Sequence, residues 1–278
     1  MSLVADLRQR LRAAGLAPNR KLGQHFMIDA SALQLLAAGA DEVADGLVVE
    51  IGPGTGLLTD RLLAGGHRVL AVEFDRGLAA LVREHFAEAR LELIEGDALA
   101  SKTRLHPAIE TGTAVGPWAL IANLPYDIAI PVILNALSLP TPPQLVLATV
   151  QREAAERLCA APGQASWGAT AAVAQAAGAG RIIRRLPPGC FYPPPRVDSA
   201  ILRWQPQRPL PLGFGRFCRD LFAYRRKRVV RGLRHYGLPV DRAEAVAEAC
   251  AIATDARVEE LSVAQLLDLH THVSEDIQ

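Results

Sequence analysis

The stretch VVEIGPGTGLLTDRLL at residues 48–63 decides the fold class of this chain. Its apolar start predicts a buried strand, and its leucine-rich end predicts a helix. Between them, Gly52, Gly54 and Gly56 occupy every second position. Glycine lets the backbone approach a ligand closely, and the helix that follows presents free amide groups at its N-terminus. The stretch therefore predicts a strand, a ligand-binding turn and a helix.

The sequence around this stretch repeats the same alternation. Residues 47–150 alternate short β-branched runs with longer runs rich in alanine and leucine, which is typical of a parallel sheet covered by helices. The strand candidates are LVVEIG, RVLAVEF, LELIEG, WALIAN and QLVLATV, followed by RIIRRL and AILRW on either side of PPGCFYPPPRVDS. We therefore predict an α/β domain.

A second domain is expected after the sheet. The segment QPQRPLPLG at 205–213 contains three prolines in nine residues and is typical of a linker. The sequence after it has a helical pattern and no strand signal. We predict a first domain over residues 1–206 and an all-helical domain over residues 210–278.

Composition favours an intracellular protein without a metal site. Half of the 278 residues are hydrophobic, which is enough for a full core. The four cysteines stand far apart without a CxxC pair, which favours a reducing compartment, the cytoplasm. The N-terminal stretch has an amphipathic pattern rather than the apolar core of a signal peptide, and no run reaches the roughly 18 apolar residues of a membrane helix. The histidines show no metal-ligand spacing such as HExxH.

Charge is unevenly distributed, although the net charge is only +1. Residues 216–234 carry eight basic residues against one acid, and residues 241–276 carry nine acids against two arginines. In the basic segment, apolar residues recur at helical spacing, which predicts a helix with its arginines facing outward. Taken alone, such a helix is more often a solvated face than a nucleic-acid site.

Two acids follow the second and third strand candidates. Glu73 lies 21 residues after Gly52 and ends its strand, where a carboxylate can accept both hydroxyls of a ribose. This position predicts a nucleotide-type cofactor. NAD sites use a similar arrangement, although the loop lacks the GxGxxG spacing, so these residues leave the cofactor open. Asp97 either accepts a hydrogen bond from the exocyclic amine of adenine or caps a helix.

The stretch IANLPYDIAIP at residues 121–131 interrupts an apolar run where the fourth strand should end. Open α/β sheets bind ligands in the crevice at this end of their strands. Asn123 offers a side-chain carbonyl, Pro125 stiffens the turn, and Tyr126 supplies a flat face, so together they are suited to grip an aromatic amine. The alternative is a proline-terminated strand with a packed tyrosine.

Five motifs in order give the chain a resemblance to the KsgA/RsmA family of ribosomal RNA adenine-N6 dimethyltransferases. The first combines EIGPGTG with VEFD, GDA and NLPY, and KLGQHFMID at 21–29 is similar to the family's N-terminal cofactor-gating segment. The others are QREAAERLCAAPGQASWGATAAVAQ, PPGCFYPPPRVDSAILRW and FAYRRKRVVRGL. The resemblance covers nearly the whole chain.

This resemblance implies a seven-stranded, Rossmann-like, S-adenosylmethionine-dependent methyltransferase domain with a small C-terminal helical domain. The cofactor residues it implies are His25, Met27, Gly52, Gly54, Glu73, Asp97 and Asn123. His25 and Met27 would close over S-adenosylmethionine, and Gly52 would lie under its methionine part. Glu73 would hold the ribose, and Asp97 the adenine.

For the target base, the resemblance implies Asn123, Leu124, Tyr126 and Phe191. Asn123 and the backbone carbonyl of Leu124 would hold the amine, while Tyr126 and Phe191 would sandwich the base. The adenine must leave its stack to be reached, and aromatic faces offset part of that cost. Because its amine is a poor nucleophile and the sulfonium a strong electrophile, alignment supplies most of the rate.

The implied activity is dimethylation at N6 of two adjacent adenosines near the 3′ end of small-subunit (16S) ribosomal RNA, with a role in small-subunit biogenesis. The partner would be this RNA or a pre-ribosomal particle, and the protein a monomer without a membrane partner. The RNA contacts expected from the basic helix are Arg225, Arg226, Lys227, Arg228 and Arg231. Contacts to phosphate would position RNA without reading its sequence.

The chain departs from the family pattern at two positions. His25 in GQHF stands where the family usually has asparagine, and it is either part of the site or a surface histidine. Asp127 in NLPYD stands where an amide is usual. We expect Asp127 to cap the helix that begins in IAIPVILNAL.

Three alternatives remain. A related resistance methyltransferase acts on large-subunit ribosomal RNA, but the long helical tail and the segment PPPRVDSA are more similar to the small-subunit enzymes. A ribosome-assembly factor with secondary or lost methylation is the second, although intact Glu73, Asp97, Asn123 and Tyr126 argue against loss. An NAD-dependent dehydrogenase is disfavoured because no catalytic base accompanies the glycine loop and NLPY would be unexplained.

Overall fold

The computed structural model of the chain describes residues 2–19, 22–43, 45–87, 90–253 and 255–275. Lys21 of the N-terminal motif and Asp276 of the acidic tail lie outside these residues. The chain divides into two compact units. The sheet unit comprises residues 1–155 and 180–206, and the helical unit comprises residues 156–179 and 207–278.

The sheet unit is built on a mixed sheet that has seven strands within the described ranges. Its spatial order is β4-β3-β2-β7-β8-β11-β9. The strands are β2 (Leu47–Ile51), β3 (Arg68–Glu73), β4 (Leu91–Glu95), β7 (Trp118–Asn123), β8 (Leu145–Gln151), β9 (Gly178–Leu186) and β11 (Ser199–Pro206). β4, β3, β2, β7 and β8 are parallel, and β11 pairs antiparallel with β8. All seven strand candidates and the α/β prediction are confirmed.

Helices and two short ladders complete the sheet unit. The helices are α1 (Leu3–Ala13), α2 (Ala30–Ala38), α3 (Leu57–Ala64), α4 (Arg76–His85), α5 (Pro107–Thr113) and α6 (Ala129–Leu137), with α7 (Arg152–Leu158) leading out of the unit. The ladders join β1 (Phe26–Met27) to β10 (Phe191–Tyr192), and β5 (Leu99–Ser101) to β6 (Arg104–Leu105). Short 3-10 turns cover Gly39–Glu42 and Pro188–Cys190.

The central strands are mostly apolar and buried because both faces of the sheet are covered. From Trp118 to Ala122 of β7, every residue is at most 1% exposed. Strands of parallel sheets buried in this way are near-continuous hydrophobic runs rather than alternating ones. Trp118 satisfies its indole N–H by donating to the Thr141 carbonyl at 2.9 Å, which removes the cost of burying that group.

The strand order fixes where a ligand binds. β2 is paired on one side with β3 and on the other with β7, so chain connections leave it in opposite directions. In open α/β sheets, the crevice at such a switch point, outside the carboxyl ends of the strands, is the ligand site. The glycine turn follows β2, and Asn123 ends β7.

The helical unit contains α8 (Ala169–Ala177), α9 (Phe214–Phe222), α10 (Val229–Tyr236), α11 (Val240–Ala249) and α12 (Val263–Glu275), with a 3-10 turn at Val258–Glu260. Its core includes Trp167, Phe217 and Leu221, each 0% exposed. The indole ring of Trp167 meets Phe222 edge-on, with centroids 6.1 Å apart. Residues 156–179, expected in the first domain, group with the C-terminal helices in the division into units. β11 ends at Pro206.

The basic segment is not one helix as predicted. α9 ends at Phe222, and Arg225–Arg228 form a turn before α10 begins at Val229. The turn forms because its backbone pairs with the distant 3-10 turn Val258–Glu260: the Lys227 carbonyl accepts from the Val258 amide and the Arg225 carbonyl accepts from the Glu259 amide. Helical spacing of the apolar residues on both sides did not reveal this break.

Among the described residues, no helix has both the length and the apolar character needed to cross a membrane.

Candidate active site

The glycine turn contains three residues whose backbone φ angles are positive. Gly52, Gly54 and Gly56 have φ of 69°, 61° and 83°, a region that glycine enters without steric cost. A Cβ on Gly54 would lie 2.9 Å from Cε1 of Phe26, and one on Gly56 would lie 2.6 Å from Cε2 of Phe86. The turn therefore requires glycine for two reasons: its backbone angles are positive, and there is no room for a side chain. Without side chains, the backbone of the turn is uncovered on the side of the crevice.

Glu73 ties the glycine turn to the end of β3. Its side chain is 6% exposed. Oε2 accepts from the Gly54 amide at 3.0 Å, and Oε1 accepts from the Asp75 amide at 2.9 Å. Burial raises the pKa of Glu73, while the amides of Asp75 and Gly54 act against that rise. Each carboxylate oxygen keeps a free lone pair, so Glu73 can still accept from a ligand hydroxyl.

The N-terminal helix braces the same turn through Arg10. The Arg10 guanidinium donates to the Thr55 carbonyl at 3.0 Å, to Asp60 of α3 at 2.6 Å and to both oxygens of Asp6 at 3.1 Å. Its side chain is 14% exposed. Charge-assisted bonds at this degree of burial are among the stronger hydrogen bonds in proteins. No feature of the sequence pointed to this contact.

Asn123 presents an unpaired oxygen. Its Nδ2 donates to the His25 carbonyl at 2.9 Å, which fixes the orientation of the amide. Its Oδ1 is buried and has no hydrogen-bond partner in the described part of the chain. Buried polar atoms are rarely left unpaired, and Asn123 is one of the residues that line the crevice. The Leu124 amide donates to the Thr149 carbonyl at 3.2 Å, so the turn after Asn123 stays attached to β8.

Tyr126 is held by its hydroxyl and by its face. The hydroxyl lies 2.6 Å from Oγ of Ser199. The ring stacks on His25, with centroids 5.7 Å apart and planes inclined by 25°. Burial raises the pKa of the Tyr126 phenol, against the effect of its hydrogen bond with Ser199. The phenol therefore stays protonated at neutral pH and acts as a flat surface rather than as a base.

Two aspartates at the crevice do not cap helices. Asp97 is exposed, and its Oδ1 accepts from the Leu99 amide at 2.9 Å in the turn before β5, so the helix-cap alternative is wrong. Asp127 was expected to cap α6, but the N-cap is Ile128 without a side-chain hydrogen bond. The Asp127 carboxylate is exposed at the wall of the crevice. It adds negative charge there.

The crevice is a cavity of about 260 Å³. The structure brings to its wall the predicted residues His25, Gly52, Gly54, Glu73, Asp97, Asn123, Leu124 and Tyr126. It does not bring Met27 and Phe191 there: they are 3% and 2% exposed and pair with each other across the β1–β10 ladder. In the described part of the chain, no group of His, Cys, Asp or Glu side chains is arranged to hold a metal ion.

Sequence reasoning missed several residues of the wall. Phe74 is 59% exposed and follows Glu73 directly, and an exposed aromatic at a strand end was the available signal. Leu22 adds a second apolar surface. Gln24 donates from Nε2 to Asp75 at 3.0 Å and so attaches the N-terminal segment to α4. These contacts join segments far apart in the sequence, which local pattern cannot show.

The strand order, the glycine turn after β2 and the acid ending β3 define a Rossmann-like, S-adenosylmethionine-dependent methyltransferase. A family model described as ribosomal RNA adenine dimethylase matches residues 15–275. The chain belongs to that family.

Curated relatives agree with this assignment, and solved structures share the fold. Ribosomal RNA small subunit methyltransferase A of Acidothermus cellulolyticus is 35% identical over 277 residues, covering 95% of this chain and 92% of the relative. The protein of the same name from Pelotomaculum thermopropionicum is 38% identical, covering 84% and 83%. A dimethyladenosine transferase from Plasmodium falciparum shares the fold, with a TM-score of 0.73 at 22% identity and coverage of 90% and 98%. The 23S rRNA methyltransferase ErmE has a TM-score of 0.64 at 23% identity, covering 90% and 99%.

Replacing Arg10 by alanine should destabilise the sheet unit. The change removes the Arg10 donor from the Thr55 carbonyl and from Oδ2 of Asp60. We expect a loss of about 2 kcal/mol, or a melting temperature lower by roughly 4–8 °C. Scanning calorimetry measures the shift. The matched control is Arg12→Ala on the same helix, where Arg12 is exposed. Equal melting temperatures for the two variants would contradict a bracing role for Arg10.

Glu50 makes stability depend on pH. It is 2% exposed in β2, accepts from the Thr59 hydroxyl at 2.8 Å, and burial raises its pKa from 4.5 to about 8. Between these values, the folded state binds the proton that the unfolded state releases. The free energy of unfolding from this group therefore falls as pH rises from 4.5 towards 8.

In Glu50→Gln, this contribution disappears. We expect the pH dependence of the unfolding free energy to be shallower than in the wild type, by about 1 kcal/mol per pH unit between pH 6 and 7.5. Urea denaturation at several pH values measures the two slopes. Parallel slopes would show that Glu50 keeps an ordinary pKa in the folded state.

Proposed function

We propose that this protein uses S-adenosylmethionine to dimethylate, at N6, two adjacent adenosines near the 3′ end of small-subunit ribosomal RNA. The names of its curated relatives and of its family model support the reaction and the RNA. The observation that carries the proposal is the buried, unpaired Oδ1 of Asn123 beside the flat ring of Tyr126. This pair suits an aromatic amine at the switch point of a methyltransferase sheet.

The residues of the cavity fit the cofactor. Gly52 and Gly54 of the glycine turn line the cavity, and Gly54 has no room for a side chain because a Cβ there would meet the Phe26 ring. Glu73 retains lone pairs for ribose hydroxyls, and Asp97 keeps one carboxylate oxygen free of the Leu99 amide for the adenine amine. When bound, S-adenosylmethionine supplies an electrophilic methyl group. Phe74 and Leu22 offer apolar surface that excludes water from this end of the cavity.

Asn123 and the Leu124 carbonyl orient the target amine. Two acceptors placed beside an exocyclic amine take its two hydrogens and draw its nitrogen toward the pyramidal form that attacks. Asn123 does this without being a base. No general base is required, because the methylated nitrogen is acidic and releases its proton to water. These residues lower the barrier by aligning the amine and by presenting polar groups that are already in place. Neither of them takes or gives a proton.

The turn Arg225–Arg228 and α10 form the proposed RNA surface of the helical unit. Arg226, Lys227, Arg228 and Arg231 are exposed, and none forms an ion pair with a described carboxylate. Arg225 differs, because it donates to Glu259 at 3.1 Å and to the Ala165 carbonyl at 3.0 Å. We therefore assign Arg225 to holding the turn and the other four to phosphate.

A depression beside this turn extends the proposed RNA surface. It has a volume of about 550 Å³, and its wall includes Tyr224, Arg231, Arg234 and His235. The rings of Tyr224 and His235 lie 4.2 Å apart. Unpaired RNA bases bind by stacking on such rings, next to cations that hold the backbone.

Methyl transfer to ribosomal subunits tests the function. Labelled S-adenosylmethionine is incubated with unmethylated small or large subunits, and the adenosines are analysed by mass after nuclease digestion. We expect dimethyladenosine in the small-subunit RNA alone. Label only in large-subunit RNA would assign the protein to the resistance enzymes. If the protein binds S-adenosylmethionine but labels neither RNA, the result would favour the ribosome-assembly factor.

Replacing Asn123 by alanine should separate chemistry from cofactor binding. The variant loses the acceptor for the target amine, so we expect the rate to fall by about 10²–10³ while the Kd for S-adenosylmethionine changes less than about twofold. Single-turnover kinetics and calorimetry measure the two quantities. Asn135→Ala on α6 is the matched control. Equal losses of rate and cofactor affinity would refute the assigned role.

Removing single cations from the turn should reduce the salt dependence of RNA binding. In a plot of the logarithm of RNA affinity against the logarithm of salt concentration, each phosphate contact adds about 1 to the magnitude of the slope. We expect Arg226→Gln and Arg228→Gln each to lower the slope by about that amount. Arg219→Gln, which removes one exposed charge from α9, should leave it unchanged. A filter-binding series from 50 to 300 mM salt gives the slopes, and no difference between the variants would exclude the turn from the RNA surface.

A further inference from the structure

The N-terminal helix α1 carries arginines on both sides of its buried stripe. Leu7 and Leu11 are 0% and 4% exposed and belong to the core of the sheet unit. An α-helix turns by about 100° per residue, so Arg8 and Arg10 lie about 80° to either side of that stripe. Arg10 is engaged with the glycine turn and with α3. Arg8 is exposed on the other side of the helix, so its contacts are of a different kind.

The guanidinium of Arg8 lies over the ring of Tyr192, with Cζ 4.8 Å from the ring centroid. A cation at this distance from an aromatic face is attracted by it. The contact holds the charge in place without using hydrogen bonds: in the described part of the chain, no carboxylate or carbonyl accepts from Arg8. Its N–H donors therefore remain available in a fork that matches the oxygens of a phosphate.

Tyr192 places this charge beside the cavity. Its backbone pairs with Phe26 in the β1–β10 ladder. The carbonyl of the next residue, Pro193, lies 2.7 Å from Nδ1 of His25. Phe26 and His25 both line the cavity. An adenosine that enters the cavity stays joined to its RNA chain, so its flanking phosphates remain outside the mouth, within reach of cations that border the wall.

Arg12 extends the positive surface of α1. It is exposed and lies one helical turn after Arg8, on the same side of the helix. The acid of the first turn, Asp6, does not neutralise this pair, because both of its carboxylate oxygens accept from Arg10. Like charges four residues apart destabilise a helix, and an anion bound between them removes that repulsion.

We propose that Arg8, held by Tyr192, and Arg12 form a second RNA surface, on the sheet unit, that binds phosphates next to the target adenosine. This inference rests on the proposed function and adds to the basic turn of the helical unit. Contacts to phosphate position RNA without reading its sequence. The surface therefore sets the register in which the adenosine meets the cavity, and it acts on KM for the RNA rather than on kcat.

The salt dependence of RNA binding tests this surface. The variants are Arg8→Gln and Arg12→Gln, with Arg68→Gln as the matched control. Arg68 is an exposed arginine at the amino end of β3, whereas the crevice lies at the carboxyl ends of the strands. Filter binding uses unmethylated small-subunit RNA from 50 to 300 mM salt. We expect each of the first two variants to lower the magnitude of the slope by about 0.7–1, and Arg68→Gln to match the wild type.

Steady-state kinetics separate a phosphate contact from a structural role. We expect Arg8→Gln to raise KM for small subunits about three- to tenfold, while kcat and the Kd for S-adenosylmethionine stay within about twofold. Arg8→Lys keeps the charge but loses the fork, so it should keep the slope and raise KM less. Tyr192→Leu leaves Arg8 charged but unsupported and should also raise KM at an unchanged slope. Tyr192→Phe, which keeps the aromatic face, should match the wild type.

Wild-type slopes for both Arg8→Gln and Arg12→Gln would overturn the inference. A lower melting temperature of Arg8→Gln at an unchanged slope would do the same, because it would assign Arg8 to the packing of Tyr192. The proposed function fails separately: if the wild type methylates no subunit while Arg8→Gln still lowers the slope, the reaction is wrong and the RNA surface stands.

Discussion

The hydrogen bond from the Gly54 amide to the buried Glu73 carboxylate is the interaction on which the site depends. It joins the turn after β2 to the end of β3, so the two strand ends act as one frame. The turn itself exists only because three glycines adopt left-handed backbone angles under close packing by Phe26 and Phe86. A carboxylate desolvated to this degree is tolerated because backbone amides occupy its oxygens. The same carboxylate lines the cavity.

Much of this frame could be predicted from sequence because its signals are local. A glycine at every second position after an apolar run, an acid at the next strand end and NLPY after the fourth strand each lie within one segment. Parallel pairing then brings the carboxyl ends of β2, β3 and β7 together, whatever the rest of the chain does. Gly52, Glu73 and Asn123 were placed at one crevice for that reason.

What could not be predicted depends on pairing between distant segments. Phe191 is turned away from the cavity because β10 pairs with β1, more than 150 residues earlier in the chain. The basic segment breaks at Arg225–Arg228 because its carbonyls accept from residues near Val258. Arg10 reaches the glycine turn from a helix whose pattern shows only an amphipathic surface. In each case, the composition of the segment is compatible with the predicted structure and with the observed one. A contact with a distant part of the chain determines which of the two forms.

The contact between Asn123 and His25 joins the end of β7 to the N-terminal segment at the cavity wall. An asparagine amide can rotate to present either its oxygen or its nitrogen, and only the oxygen accepts from an amine. Donation from Nδ2 to the His25 carbonyl fixes this choice and leaves Oδ1 as the acceptor without a partner among the described residues. The free-energy cost of burying that oxygen without a partner therefore arises when the protein folds and not during the reaction. Such preorganisation makes an amide effective without proton transfer, since no reorientation has to accompany the attack. The N-terminal segment that carries His25 thus fixes the orientation of Asn123 and also lines the cavity.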